Sequence, residues 1–308
     1  MSVHHLLPPG VQVLERGWLS SNYLVLTGRE GQALVDSGYC THAQQTLALV
    51  ERALGGERLD TLVNTHLHSD HCGGNAALQA RYPGARTMIP PGESRAVREW
   101  DEEKLSYRAT GQQCPRFTFD STLAPGSTVG LGACEWEVHA APGHDPHAVL
   151  LFEPGARLLI SGDALWEKGF GIVFPEMWGE SSFDEVSATL DLIESLEPAC
   201  VIPGHGSVFD QVDRALATAR ERLDAFVRSP QKHARHALKV LIKFKLLDAK
   251  QISTGDLNAW LQTAHYMHGV QRRFAPDRSL KEWSAELLKE LIASGAARRV
   301  GDVIFDAP

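Results

Sequence analysis

Cysteine is scarce in this chain. There are five in 308 residues (Cys40, Cys72, Cys114, Cys134 and Cys200), odd in number and with no close pair. That excludes a disulfide-built scaffold, and reduced thiols in a cytoplasm are expected. Long apolar runs are also missing; none nears the roughly 20 residues a membrane helix needs. Residues 1–9 carry no basic stretch ahead of an apolar core, so no secretory signal is expected. Positive charge is in deficit, with 30 Lys and Arg against 38 Asp and Glu. The deficit is uneven. Residues 1–212 carry 13 basic and 27 acidic side chains, a net of −14, while residues 213–308 carry 17 and 11, a net of +6. A phosphate backbone is a poor partner for the first part, so nucleic acid ranks low. The basic second part reads as solvated helix faces. Hydrophobic residues at 43% and charged residues at 22% are ordinary for a soluble globular protein.

What the chain does have is a dense cluster of metal-capable side chains. Thr65-His66-Leu67-His68-Ser69-Asp70-His71 follows the apolar pair Leu62-Val63 and runs into Cys72-Gly73-Gly74-Asn75. In an extended segment His66 and His68 point the same way and can grip one ion. Asp70 and His71 come half a turn later and can face a second. Crowded imidazoles and a carboxylate need an opposing charge, which a divalent cation supplies. Three later segments each offer one further ligand beside glycine: Gly143-His144, Gly162-Asp163 after Leu158-Leu159-Ile160, and Gly204-His205-Gly206 after Val201-Ile202. Cys72, next to His71, reads as a small buried residue.

The HxHxDH run with Gly74-Asn75, the isolated His144, the Gly-Asp pair and the Pro-Gly-His-Gly segment resemble, in this combination and order, the metallo-β-lactamase fold superfamily of hydrolases. The resemblance covers roughly residues 10–210. It implies an α/β (α+β) fold: a four-layer αββα sandwich with the site at one edge of two sheets. It implies that His66, His68 and His144 bind one ion, that Asp70, His71 and His205 bind a second, and that Asp163 bridges them. Aspartate at the bridging position, where secreted lactam-cleaving enzymes carry cysteine, is similar to the glyoxalase II branch.

Two units are expected: a catalytic domain over 1–212, and a small, mainly helical domain over 213–308 that resembles a winged helix. In the first unit, short strands are expected around 11–14 and 23–26, and Ala33-Leu34-Val35 leads into the turn Asp36-Ser37-Gly38. Helical periodicity covers 41–54 and 75–81, and strand 59–64 delivers the cluster. Residues 91–120 read as an insertion with a charged helix over 93–108; its Trp100, Tyr107 and Phe117 are expected to be core anchors. Trp166, Phe170, Phe174 and Trp178, in the loop after Asp163, are expected to line a substrate pocket. In the second unit, amphipathic helices are expected over 212–227 and 234–247. A third is capped at Ser253 or Thr254, and a fourth is opened by the capping box Ser279-Leu280-Lys281-Glu282 and stopped by Gly295. A hairpin over 298–305 follows. His265 and His268 read as surface residues.

The leading functional expectation is a dinuclear metal-dependent hydrolase of a small ester, thioester or lactone, acting through a metal-bridging hydroxide. Zinc is the first choice of ion, with iron or manganese also suited to histidine and carboxylate ligands. Asp70 and Asp163 are the expected proton acceptors. His147 is a candidate for protonating the leaving group or, as the favoured role, for orienting Asp145. The alternatives are a nuclease or phosphodiesterase, a winged-helix nucleic-acid binder and, third, a mononuclear-iron sulfur dioxygenase. The expected partner is a small-molecule substrate, not a membrane, and homo-oligomerisation is left open.

Overall fold

The computed structural model describes residues 7–307. Its first part contains strands β1 (Val11–Leu14), β2 (Tyr23–Leu26) and β3 (Ala33–Val35), helix α1 (Ala43–Ala53), β4 (Thr61–Val63), α2 (Ser69–Cys72), α3 (Asn75–Arg81), β5 (Arg86–Ile89), α4 (Ser94–Glu99), α5 (Tyr107–Thr110) and β6 (Ser121–Thr122). These six strands form one sheet in chain order, antiparallel from β1 to β3 and parallel from β3 to β6. Next come β7 (Thr128–Leu131), β8 (Cys134–Ala140), β9 (Val149–Glu153), β10 (Leu158–Gly162), α6 (Phe174–Trp178), α7 (Phe183–Leu196), β11 (Cys200–Pro203) and α8 (Val212–Arg228). The second sheet has the order β11-β10-β9-β8-β7, with β10 and β11 parallel.

Side-chain alternation builds the four layers. Leu24, Leu26, Val35 and Val63 point from the first sheet onto Trp136, Val138, Leu151 and Ile160 of the second. From the opposite face of the first sheet, Val25, Leu34 and Leu62 meet Val50, Leu54 and Leu78 of the α1–α3 layer. From the second, Leu150, Phe152, Leu159 and Val201 meet Val186, Leu190 and Ile193 of α7 and Leu216 and Leu223 of α8. Strands covered on both faces read as unbroken apolar runs, as Leu158-Leu159-Ile160 does. The fold is thus the expected αββα sandwich.

Beyond α8 the chain forms α9 (Pro230–Ala249), β12 (Gln251–Ser253), α10 (Thr254–Thr263), α11 (His265–Phe274), α12 (Leu280–Ala293), β13 (Ala297–Val300) and β14 (Val303–Asp306), with the three strands ordered β12-β14-β13. Ser253 caps α10 by accepting from the Asp256 N–H, and the Ser279–Glu282 capping box opens α12. Among the described residues no helix is long and apolar enough to cross a membrane.

Two local expectations are corrected. Residues 93–108 do not form one helix: α4 ends at Trp100, which adopts φ +56°. Asp101 then accepts from the backbone N–H groups of Glu103 and Lys104, a local turn that competes with helix. Helix α11 was not anticipated. It carries an exposed His265 and a half-buried His268.

Candidate metal centre

Strands β3 and β4 run in one direction in the first sheet, and β8, β10 and β11 in one direction in the second, and the loops after them gather at one edge of the sandwich. The loop after each delivers its polar residues there: Asp36 after β3, His66 to His71 after β4, His144 after β8, Asp163 after β10 and His205 after β11. All seven residues expected as ligands come together. Ligand atoms of His66, His68 and His144 lie within 4.8 Å of one another, as do those of His66, His71 and Asp163, and those of Asp70, His71 and His205. His144 Nε2 is 3.4 Å and His205 Nε2 3.9 Å from Asp163 Oδ2, so this carboxylate lies between the two groups. Asp70 Oδ2 is 3.2 Å from His205 Nε2.

The residues fit a metal by their unmet needs as well as their spacing. His66 Nε2 is buried with no hydrogen-bond partner. His71 Nε2 lies 3.3 Å from Asp163 Oδ1 but without hydrogen-bonding geometry. Nitrogen atoms left so in a native interior call for a missing partner. Burial holds His66 well below its ordinary pKa and brings His68 and His144 down to about 4, so these rings are neutral and offer lone pairs. Burial also opposes charge on His71, but Asp163 and Asp36 prevail and hold it well above its usual value. A metal ion would take the place of that proton.

Asp36 positions His71. It sits at φ +60°, a conformation aspartate tolerates better than most residues. Its Oδ1 accepts from the Thr65 N–H at 2.9 Å and its Oδ2 from Thr65 Oγ1 at 2.8 Å. Asp36 Oδ2 also lies 2.8 Å from His71 Nδ1, which leaves Nε2 facing the cluster. His144 is held likewise, with Nδ1 donating to the Ile172 carbonyl at 2.5 Å. The loop before His205 passes so close that a Cβ on Gly204 would lie 2.3 Å from Asp163 Oδ1 and 2.8 Å from His71 Cε1. Only glycine permits that approach.

The cluster opens into a cavity of about 690 Å³. Of the aromatics expected to line it, Trp166 and Phe174 do. Phe174 packs edge-on against His68, with centroids 4.9 Å apart. Phe170 instead turns into the core against Phe226, and Trp178 lies half exposed on the outside against Tyr266. His147 does not line the cavity. Its exposed ring packs over Gly92, and its backbone N–H donates to Asp145 Oδ1 at 2.7 Å. The His147 ring is therefore not placed to protonate a leaving group in the cavity, and it is the backbone N–H that orients Asp145. Cys72 is buried, 3.2 Å from Tyr107 Oη and away from the cavity. Trp100, Tyr107 and Phe117 are core anchors, as expected.

Sequence reading missed Trp18. It is 55% exposed, yet it stacks on His205 at 5.3 Å and meets Trp166 edge-on. Nothing local marks a lone tryptophan 187 positions before the histidine it covers.

Comparisons with known proteins agree with this geometry. Residues 16–205 match the family described as the metallo-beta-lactamase superfamily. A hydroxyacylglutathione hydrolase of Anaeromyxobacter dehalogenans is 30% identical over 284 residues, spanning 87% of this chain and 97% of that protein. The mitochondrial persulfide dioxygenase ETHE1 of Bos taurus is 27% identical over 160 residues, 52% of this chain and 54% of its own. Among solved structures, TTHA1623 in a di-iron-bound form superposes with a TM-score of 0.55 at 26% identity, covering 68% of this chain and 98% of that one.

Proposed function

The chain belongs to the metallo-beta-lactamase superfamily and is a metal-dependent hydrolase; from that premise we propose that it cleaves a small ester, thioester or lactone with two divalent ions, zinc the first choice. The observation that carries the reading is the complete double set of ligand atoms around Asp163. We assign His66, His68 and His144 to one ion, Asp70, His71 and His205 to the other, and Asp163 to both. When bound, such ions supply a strong water-derived nucleophile at neutral pH and polarise the scissile carbonyl.

The protein's own groups do the rest. Asp36 and the Ile172 carbonyl fix the rings of His71 and His144, so metal-facing nitrogens are set before substrate arrives. Asp70 and Asp163 both line the cavity, and both carboxylates can accept a proton released there. Trp18, Trp166 and Phe174 give the mouth an apolar rim that receives an acyl group and excludes water. The similarity to a hydroxyacylglutathione hydrolase, a thioesterase by name, favours a thioester. We read 1–212 as the catalytic unit and 213–308 as a winged-helix-like unit joined to it through α8. The five free cysteines support a reducing, cytoplasmic setting.

The similarity to a persulfide dioxygenase raises a one-iron alternative. The intact set of Asp70, His71 and His205 supports two ions instead. Elemental analysis of protein purified without added metal, with a panel of thioester, lactone, phosphodiester and persulfide substrates, separates the readings. Two ions per chain and thioester or lactone turnover are expected. Asp163→Ala is expected to lose bound metal and at least about a hundred-fold in rate. Retention of both ions in that variant overturns the assignment of Asp163.

A further inference from the structure

The cavity that holds the cluster is also walled by the C-terminal part of the chain, and that wall is basic. Arg222, His236, Lys239 and Lys243 reach it from that part and Lys168 from the loop after Asp163, against the two carboxylates of Glu167 and Glu290. Two of these charges are spoken for: Lys239 pairs with Glu290 at 3.2 Å and Lys243 with Asp306 at 2.5 Å. Arg222 is not. Among the described residues no carboxylate lies within ion-pair range of its guanidinium.

Arg222 is nevertheless built into place. Its Nη1 donates to the Lys168 carbonyl at 3.3 Å and its Nη2 to His236 Nε2 at 2.6 Å. Phe170 and Phe226 flank it, with centroids 5.5 and 5.4 Å from the guanidinium carbon. Gly169 sits at φ +112°, and a Cβ there would lie 2.7 Å from Nη1 and 2.8 Å from Cδ. The loop that begins at Asp163 is thus shaped to let this side chain lie along it. Burial lowers the pKa of Arg222 and no acidic neighbour raises it again. A half-buried guanidinium has five N–H donors in a fixed fork. Three remain after the bonds above, and only the two ring faces, with no carboxylate among the described residues, balance the charge, which leaves room for an anionic partner.

We propose that Arg222 is a specificity-determining residue that recognises an anionic group, a carboxylate or a phosphate, carried by the substrate away from its scissile bond. This rests on the hydrolase reading and narrows it to anionic esters or thioesters. His236 and Gly169 are positioning residues, the first orienting the guanidinium and the second leaving it room.

The test compares matched thioesters on the metal-loaded enzyme. One arm pairs thioesters of 3-mercaptopropionate with those of its neutral amide; the other pairs thioesters of pantetheine 4′-phosphate with those of pantetheine. In the wild-type protein the anionic member of at least one pair is expected to have the higher kcat/KM, by about ten- to hundred-fold. The arm that shows the preference identifies carboxylate or phosphate. In Arg222→Gln the ratio is expected to collapse towards one, mainly through KM, while Arg222→Lys keeps part of it. Circular dichroism melts check that both variants fold. A second readout needs no turnover: the free anionic thiols are expected to raise the wild-type Tm more than their neutral partners do, and the difference to vanish in Arg222→Gln. Were no ester of any kind cleaved while that Tm difference persisted, the hydrolase reading would fail and the anion site would stand. A ratio near one in both arms for the wild type, or a ratio unchanged in Arg222→Gln, overturns the proposal.

Discussion

Gly204 shows how a residue with no chemistry of its own sets a site. Nothing about it suggests a ligand, yet its missing side chain lets Asp163 and His71 sit where they do. Gly204→Ala removes no donor atom. Its added methyl must displace Asp163 Oδ1 from 2.3 Å, a separation no real Cβ contact shows. The carboxylate meant to lie between two ions then moves by a sizeable part of an ångström. A displacement near 1 Å at such a position costs about a hundred-fold in rate. The expected outcome is a folded protein with reduced metal content and a rate lowered by about that factor, read by elemental analysis and thioester turnover. Unchanged stoichiometry and rate would show that the loop before His205 yields without disturbing the cluster.

Helix α9 carries the next level of control. His233 on α9 is buried between Phe226 and Phe183, and its Nε2 accepts the Val173 N–H at 3.2 Å. Burial first, and then the Arg222 charge, bring its pKa down to about 3 from an ordinary 6.5. The unfolded chain therefore binds a proton below about pH 6.5 that the folded chain refuses until about pH 3. Stability is lost as pH falls through that window, by about 1.4 kcal/mol per pH unit for this one group. His233→Gln offers an amide oxygen to the same N–H and does not titrate. Denaturant titrations at pH 6 and pH 4 are expected to show a shallower loss in the variant by about that amount; equal slopes would mean that His233 charges freely in the fold. The elements themselves were legible to different degrees. Helices α8, α9, α10 and α12 could be read from apolar spacing and caps, because those signals are local. Helix α11 could not. Gly269 weakens its sequence signal, and that glycine answers to a tertiary contact, since a Cβ there would lie 3.0 Å from the Trp178 ring. The cluster was legible because each ligand lies in the loop that directly follows an apolar strand, beside other metal-capable residues or glycine; Arg222, Trp18 and the outward turn of Trp178 were not, because only packing between distant segments places them.

At the scale of the whole chain, the C-terminal helices share a core with the segments beside the cavity. Ile172, Met177 and Ala109, from segments beside the cavity, are buried in the same core as Leu238, Leu241, Leu257 and Leu287. Leu19 and Tyr39 bury Phe244 of α9. The Trp260 indole donates to the Gly111 carbonyl at 3.3 Å, and His233 holds Val173. Ile172 is also the residue whose carbonyl fixes His144. Uncovering an apolar side chain such as Ile172, Met177 or Leu19 costs roughly 1.5–3 kcal/mol each. Summed over three, that rivals the 5–15 kcal/mol that typically holds a whole domain together. Ending the chain at Arg228 should therefore do more than delete a neighbour. The loop from Gly171 to Phe174 loses its backing, His144 loses its fixed orientation, and an apolar face opens next to the cavity. The truncated chain is expected to express poorly in soluble form, to bind a hydrophobic dye and to hold less than its full complement of metal. If it instead unfolded cooperatively at the wild-type Tm with unchanged metal content, the sandwich would be self-sufficient and the C-terminal helices would serve the substrate alone.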